Sequence, residues 1–267
     1  MADPRMDKID IDALRNAVQL LEHASLAARL ANMIGKPLEL LGRALPSGAS
    51  QAITLATTKS LEAAVKIALL TIRGGSQDSS QMLHKALSVA SGAAGGAFGI
   101  LSLPLELPVS TIIILRSILD IARSEGEDLA DPEATLSCVE VFGLGGRTET
   151  DDASEGGYFV VRGVFATSVT EAARFIAERG IVEEGSPVLV RLIAQIASRF
   201  GFVVSQKAAA QTIPVIGALG GAAINYAFID HFQSVARGHF TVRRLERKYG
   251  KDIVFDTYER LRQELKA

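Results

Sequence analysis

The residues best placed to do chemistry lie in one stretch, Phe142-Gly143-Leu144-Gly145-Gly146-Arg147-Thr148-Glu149-Thr150-Asp151-Asp152-Ala153-Ser154-Glu155-Gly156-Gly157-Tyr158. On a helix Asp151 and Glu155 are four residues apart and Asp152 and Glu155 three, so the carboxylates share a face. Such a group can hold a hard cation such as Mg²⁺ through oxygen, or work as an acid/base pair in a metal-dependent hydrolase. The plainer reading carries more weight: the acids complement the positive N-terminus of a helix, and Arg147 pairs with one of them. The glycines suggest a phosphate cradle. The segment lacks a Gly-Lys-Ser/Thr ending and a preceding strand, and its three acids repel phosphate. Asp230, His231 and His239 fall within about two turns and can form a polar cluster, although satisfied structural histidines explain them as well. Neither a Gly-x-Ser-x-Gly elbow nor a His-Glu-x-x-His motif occurs. The residues leave open whether the chain is an enzyme, and nothing in them implies a cofactor.

Composition narrows the field. The chain has 267 residues, 24 Gly, one Cys, four His and a formal net charge of −2. It is too apolar for a disordered chain, has no disulfide partner for Cys138, and has few ligands for a zinc site. A sequence pI of about 6.1 argues against nucleic acid as a partner. The N-terminus has no apolar signal region, and a single Cys agrees with a reducing, cytoplasmic setting. Charge is unevenly spread. From Asp120 to Glu155 there are eleven acids and two bases, a block of −9, which leaves +7 elsewhere. Arg243, Arg244, Arg247 and Lys248 form a basic row that can face anionic lipid headgroups at about 1 kcal/mol per base. The competing reading pairs that row with the acidic block inside the fold.

Two windows carry no charge, Ala86–Leu105 and Ala208–Ile229. Each has the length of a membrane span, but Ala and Gly dominate where insertion favours Leu, Ile, Phe and Val. Gly92 and Gly96 are four apart, as are Gly217 and Gly221, so each pair makes a flat groove on one helix face. Glycine costs about 1 kcal/mol per helical position, which close approach of a second helix offsets. Packed hairpins inside a soluble bundle are the first reading; contact with a bilayer or an acyl chain is the second.

The elements that must position these residues read as helices. Ile11, Leu14, Val18 and Leu21 recur at helical spacing, with Asp10 as N-cap and Gly35-Lys36-Pro37 as the stop. Ala49–Ile72 forms a long helix with Lys59, Glu62 and Lys66 on its wet side. Pro104 and Pro108 punctuate a connection before a helix over Val109–Ser124. Asp131-Pro132-Glu133 and Ser186-Pro187 are cap-plus-proline starts, the second for a helix to about Gln211. Thr150 opens another helix, Pro214 begins a stretch reaching Tyr249-Gly250, and Asp252–Lys266 is a terminal amphipathic helix. No alternating strand pattern appears. The expected fold is all-α, a multi-helix bundle around two small-residue helices or hairpins. It forms one domain over 1–267, with an N-terminal helical extension over about 1–48.

At the glycine-rich segment the sequence resembles the EcsC family, bacterial proteins named for a gene beside an ABC transporter. The likeness rests on Phe142 through Arg147, then Thr150-Asp151-Asp152-Ala153, Glu155, Gly157-Tyr158 and Arg162. It continues in Pro104-Leu105-Glu106-Leu107-Pro108 and in Ile213 through Gly221 with Asn225-Tyr226 and Phe228. The resemblance implies an α-helical protein linked to membranes or transport, and carries over no catalytic residue. Together these readings favour a non-enzymatic, membrane-peripheral or lipid-contacting accessory protein. Its expected partners are anionic lipid or a membrane transporter, and its expected place is the inner face of the cell membrane. A metal-dependent hydrolase and a soluble interaction module are the alternatives.

Overall fold

A computed structural model describes residues 6–22, 26–34, 48–72, 103–146, 157–180, 186–211 and 218–266. Over these the chain forms helices and no strand: α1 (Lys8–Glu22), α2 (Leu26–Ile34), α3 (Ala49–Ile72), α4 (Leu103–Ser124), α5 (Pro132–Leu144), α6 (Gly157–Arg179), α7 (Pro187–Gln211), α8 (Ala218–Tyr249) and α9 (Lys251–Lys266). The all-α bundle is therefore as the sequence implies.

The centre is α5. Asp131 caps it from an extended backbone, accepting from the Glu133 N–H at 3.1 Å, and Pro132 occupies the first helical position. Every residue from Ala134 to Leu144 is buried, because α3, α4, α6, α7 and α8 all pack around it. A helix enclosed on all sides has no need of a polar stripe, and α5 shows none. Phe142 meets Phe200 of α7 at 5.0 Å and Phe232 of α8 at 5.3 Å between ring centroids, tying three helices at one level.

Several boundaries differ from expectation. Asp10 is not a cap; it lies inside the first turn of α1 with its carboxylate turned to α8. The first helix does not run to Gly35: α1 ends at Glu22, and α2 starts at Leu26 and packs on α7 and α8, whereas α1 packs on α8 and α9. α4 starts at Leu103 and contains both prolines. Pro104 sits in the first turn, where an N–H has no partner to lose, and Pro108 gives up only the bond toward Pro104. Burial of Leu103 and Leu107 against the core offsets that loss. α6 runs unbroken through Thr167-Ser168. Its expected opening at Thr150 lies outside the described residues, and Gly157, with φ at +43°, stands at the helix start. Gly250 separates α8 from α9 with φ at +88° and an N–H to the Glu246 carbonyl at 2.9 Å, a left-handed cap. The N-terminal part is built into the bundle rather than appended, since α1 packs along α8 and α9.

Most of the window Ala86–Leu105, including Gly92 and Gly96, lies outside the described residues, as does Gly217. Gly221 belongs to α8; of the window Ala208–Ile229, residues 208–211 end α7, 218–229 open α8, and 212–217 lie outside the described residues.

Candidate functional site

The glycines at the end of α5 are packing positions. A Cβ on Gly143 would lie 2.5 Å from the Phe165 ring, one on Gly145 2.6 Å from Phe232, and one on Gly146 2.5 Å from the Arg199 carbonyl oxygen. Without Cβ atoms the end of α5 meets α6, α7 and α8 at backbone distance. Its last carbonyls are taken by side chains: His231 Nε2 donates to Gly145 O at 2.8 Å, and Arg199 Nε to Gly143 O at 3.1 Å. Burial pushes His231 down to about 4, so the imidazole is neutral near pH 7. The N–H groups of Gly145 and Gly146 bond to Val141 and Gly143 carbonyls, which takes them away from any phosphate.

Tyr158 and Arg162, one turn apart on α6, reach α8. Tyr158 Oη is 2.8 Å from His239 Nδ1, and both side chains are buried. Arg162 gives both terminal nitrogens to Glu246 at 2.8 Å each, a bidentate pair. Burial pushes the Tyr158 hydroxyl up and holds His239 well below its usual range. Glu22 of α1 accepts the Tyr158 N–H at 3.2 Å and the Tyr258 hydroxyl at 2.8 Å, placing a carboxylate on the positive end of α6. Beside it lies a cavity with room for about one water molecule, lined by Leu21, Gly145, Gly157, Tyr158 and Val235 among others. That is too small for a substrate.

The proposed cluster of Asp230, His231 and His239 does not form: Asp230 pairs with Arg29, His231 with Gly145 and His239 with Tyr158. Nor is the basic row a free headgroup surface. Arg243 grips Glu127 at 2.8 and 3.0 Å, and Arg247 joins the same carboxylate. Arg244 holds Glu125 at 2.7 Å and Asp10 at 3.2 Å, while Lys248 holds Asp10 at 2.7 Å. The row pairs with the acidic connection between α4 and α5 and with α1, the second of the two readings. Those bonds from Lys248, Tyr249 and Arg244 hold the Asp10 carboxyl well below its usual range despite burial.

Sequence reasoning missed two groups. Glu140 on α5 is buried, and desolvation pushes its carboxyl up to about 7. Lys207 near the end of α7 is buried, donates to Glu106 of α4 at 2.7 Å, and lies over the Phe228 ring at 4.7 Å. Burial would raise Glu106, but Lys207 and the amides of Asn225 and Gln211 outweigh it and lower it. Pro104–Pro108 and Asn225, both singled out in the sequence, thus meet at one end of the bundle. Their signal was a lone Lys and a lone Glu in otherwise uncharged runs.

Arg147, Asp151, Asp152 and Glu155 lie outside the described residues. Among the described residues no group of three His, Cys, Asp or Glu side chains is arranged to hold a metal.

What the described chain defines is an all-α bundle with a buried polar layer and no substrate-sized chamber at its glycine motif. The chain matches the EcsC protein family over residues 10–245 and belongs to that family. No curated protein and no solved structure matches it.

Proposed function

We propose that this EcsC-family protein is a peripheral, lipid-contacting protein that rests an apolar face of α6, α7 and α9 on a bilayer. One observation carries the reading: exposed apolar side chains from these helices lie side by side. The Glu171–Arg191 ion pair at 3.3 Å fixes the register of the antiparallel α6–α7 pair. Val164 and Ser198 each lie seven residues from that pair, about two turns along the same face. Val160 and Phe202 follow one turn further, and Phe159 continues the patch to Phe255 of α9 at 5.1 Å between ring centroids. Val160, Val164, Phe202 and Phe255 are 51, 60, 42 and 43% exposed.

Supporting this, α7 is long and apolar enough to cross a membrane by length and composition, and only 39% of its most apolar window is buried. Its cations are tied down: Arg191 to Glu171, Arg199 to Gly143 and Lys207 to Glu106. A peripheral placement accounts for the same face without a span. Sinking the exposed halves of four such side chains contributes about 3–6 kcal/mol. Because the basic row is spent on internal acids, the contact is apolar in origin and only weakly sensitive to salt. We place this contact at the cytoplasmic face of the cell membrane, in keeping with the single Cys of the sequence.

Vesicle flotation tests the reading. The wild-type chain is expected to float with phosphatidylcholine/phosphatidylglycerol vesicles at low and high salt, and V164D/F202D to stay in the pellet fraction. Failure of the wild type to float at either salt concentration would remove the proposal.

A further inference from the structure

Glu140 stands where α5, α6 and α8 bring charged groups together inside the bundle. It is 3% exposed, and its Oε1 has no hydrogen-bond partner. Arg162 of α6 and Arg243 of α8 favour its ionised form, and Glu133 of its own helix opposes it. Tyr158 of α6, His239 and Glu246 of α8, and Glu127 before α5 border the same cluster. The buried side chains of α3 are apolar apart from Thr57 and Ser60. α4 supplies Thr111 and the half-buried Arg116; α7 supplies Arg199, tied to Gly143, and Lys207, tied to Glu106.

The pairing is lopsided. Glu127 holds two guanidinium groups, Arg243 and Arg247, while Glu140 holds none. Arg162 is committed to Glu246, which has no second cation among the bonds described. Arg243 is therefore the group that can leave without stranding a carboxylate. A protonated Glu140 needs no cation. An ionised Glu140 buried without one is costly, and taking Arg243 leaves three carboxylates matched to three arginines. We propose that Glu140 is a proton switch in the core: losing its proton to water draws Arg243 from Glu127, and regaining it returns Arg243. The two states differ in how α8 is tied to the connection between α4 and α5. Burial, which pushes the carboxyl up to about 7, puts the transition near neutral pH.

The test uses the full chain in solution. The protonated carboxyl stretch of Glu140, identified by infrared difference against E140Q, is followed alongside the ¹⁵Nε signal of Arg243 from about pH 5 to about pH 9. The expected result is one shared midpoint near neutrality, with the Arg243 change abolished in E140Q. The proposal is overturned if Glu140 does not titrate in that range, if Arg243 stays unchanged while it does, or if E140Q keeps the Arg243 change. Should E140Q fail to fold, the wild-type Arg243 titration alone decides: an unchanged signal across the range refutes the switch.

Discussion

Cutting the Lys207–Glu106 pair from either side has unequal consequences, because the two groups are unequally buried. The Lys207 side chain is 1% exposed and that of Glu106 22%. E106Q leaves an ammonium with no carboxylate in an apolar site, a defect that costs about 3–5 kcal/mol. Lysine has an escape: from a reference near 10.4, deprotonation at about pH 7 costs about 4.6 kcal/mol, which caps the penalty. That cap falls by about 1.4 kcal/mol per pH unit, so the defect should shrink as pH rises. The sign is consistent, since burial lowers the Lys207 pKa and a group that sheds its proton on folding gains stability with pH. K207M instead leaves a carboxylate that still reaches water and the amides of Gln211 and Asn225, at a cost of about 1–2 kcal/mol. The double variant restores an uncharged site and should lie within about 1 kcal/mol of wild type, a coupling of several kcal/mol. Urea unfolding followed by circular dichroism at about pH 7 and about pH 9 measures all four chains. Equal single-variant costs, an additive double variant, or an E106Q defect that does not shrink at the higher pH would refute the reasoning.

Three other outcomes follow from the same structure. Glu140 rises from 4.5 to about 7 on folding, so the native state holds the extra proton between those values and loses about 3 kcal/mol as pH rises through that window. E140Q should lack this slope and exceed wild type by about that amount above neutrality, as read by urea midpoints across pH. Gly146→Ala places a methyl 2.5 Å from the Arg199 carbonyl oxygen, and the backbone must yield, at a cost of about 1–3 kcal/mol in thermal unfolding. Burial pushes the Cys138 thiol far up and seals it inside α5, so a thiol reagent should label the native chain only at its unfolding rate.

The helices were legible because caps and periodicity are local signals. Ser186-Pro187 and Asp131-Pro132 each start a helix where their chemistry says, since Ser186 Oγ accepts from the Leu189 N–H and Asp131 from that of Glu133. Pro104 and Pro108 misled because Pro104 in the first turn breaks no bond and Pro108 breaks only one, facts that depend on where the helix begins. The charge blocks were visible in the sequence, but their pairing was not. Arg243 and Glu127 are 116 residues apart and meet only because α8 crosses the start of α5. Glu140 gave no signal at all: an acid in a short helix looks solvated until five neighbours enclose it. The glycine motif was rightly noticed and its use as a close-packed helix end was not, because the partners, Phe165, Arg199 and Phe232, come from three other helices.

The central claim is that the α6–α7–α9 face meets lipid, and a site-specific probe tests it most directly. With Cys138 buried, a cysteine placed at Phe202 is the reactive one. An environment-sensitive fluorophore there should shift to the blue on adding vesicles and be quenched by lipids brominated in the acyl chain. The same fluorophore at Lys59, on the exposed side of α3, should do neither. Quenching at both positions, or at neither, would contradict the account.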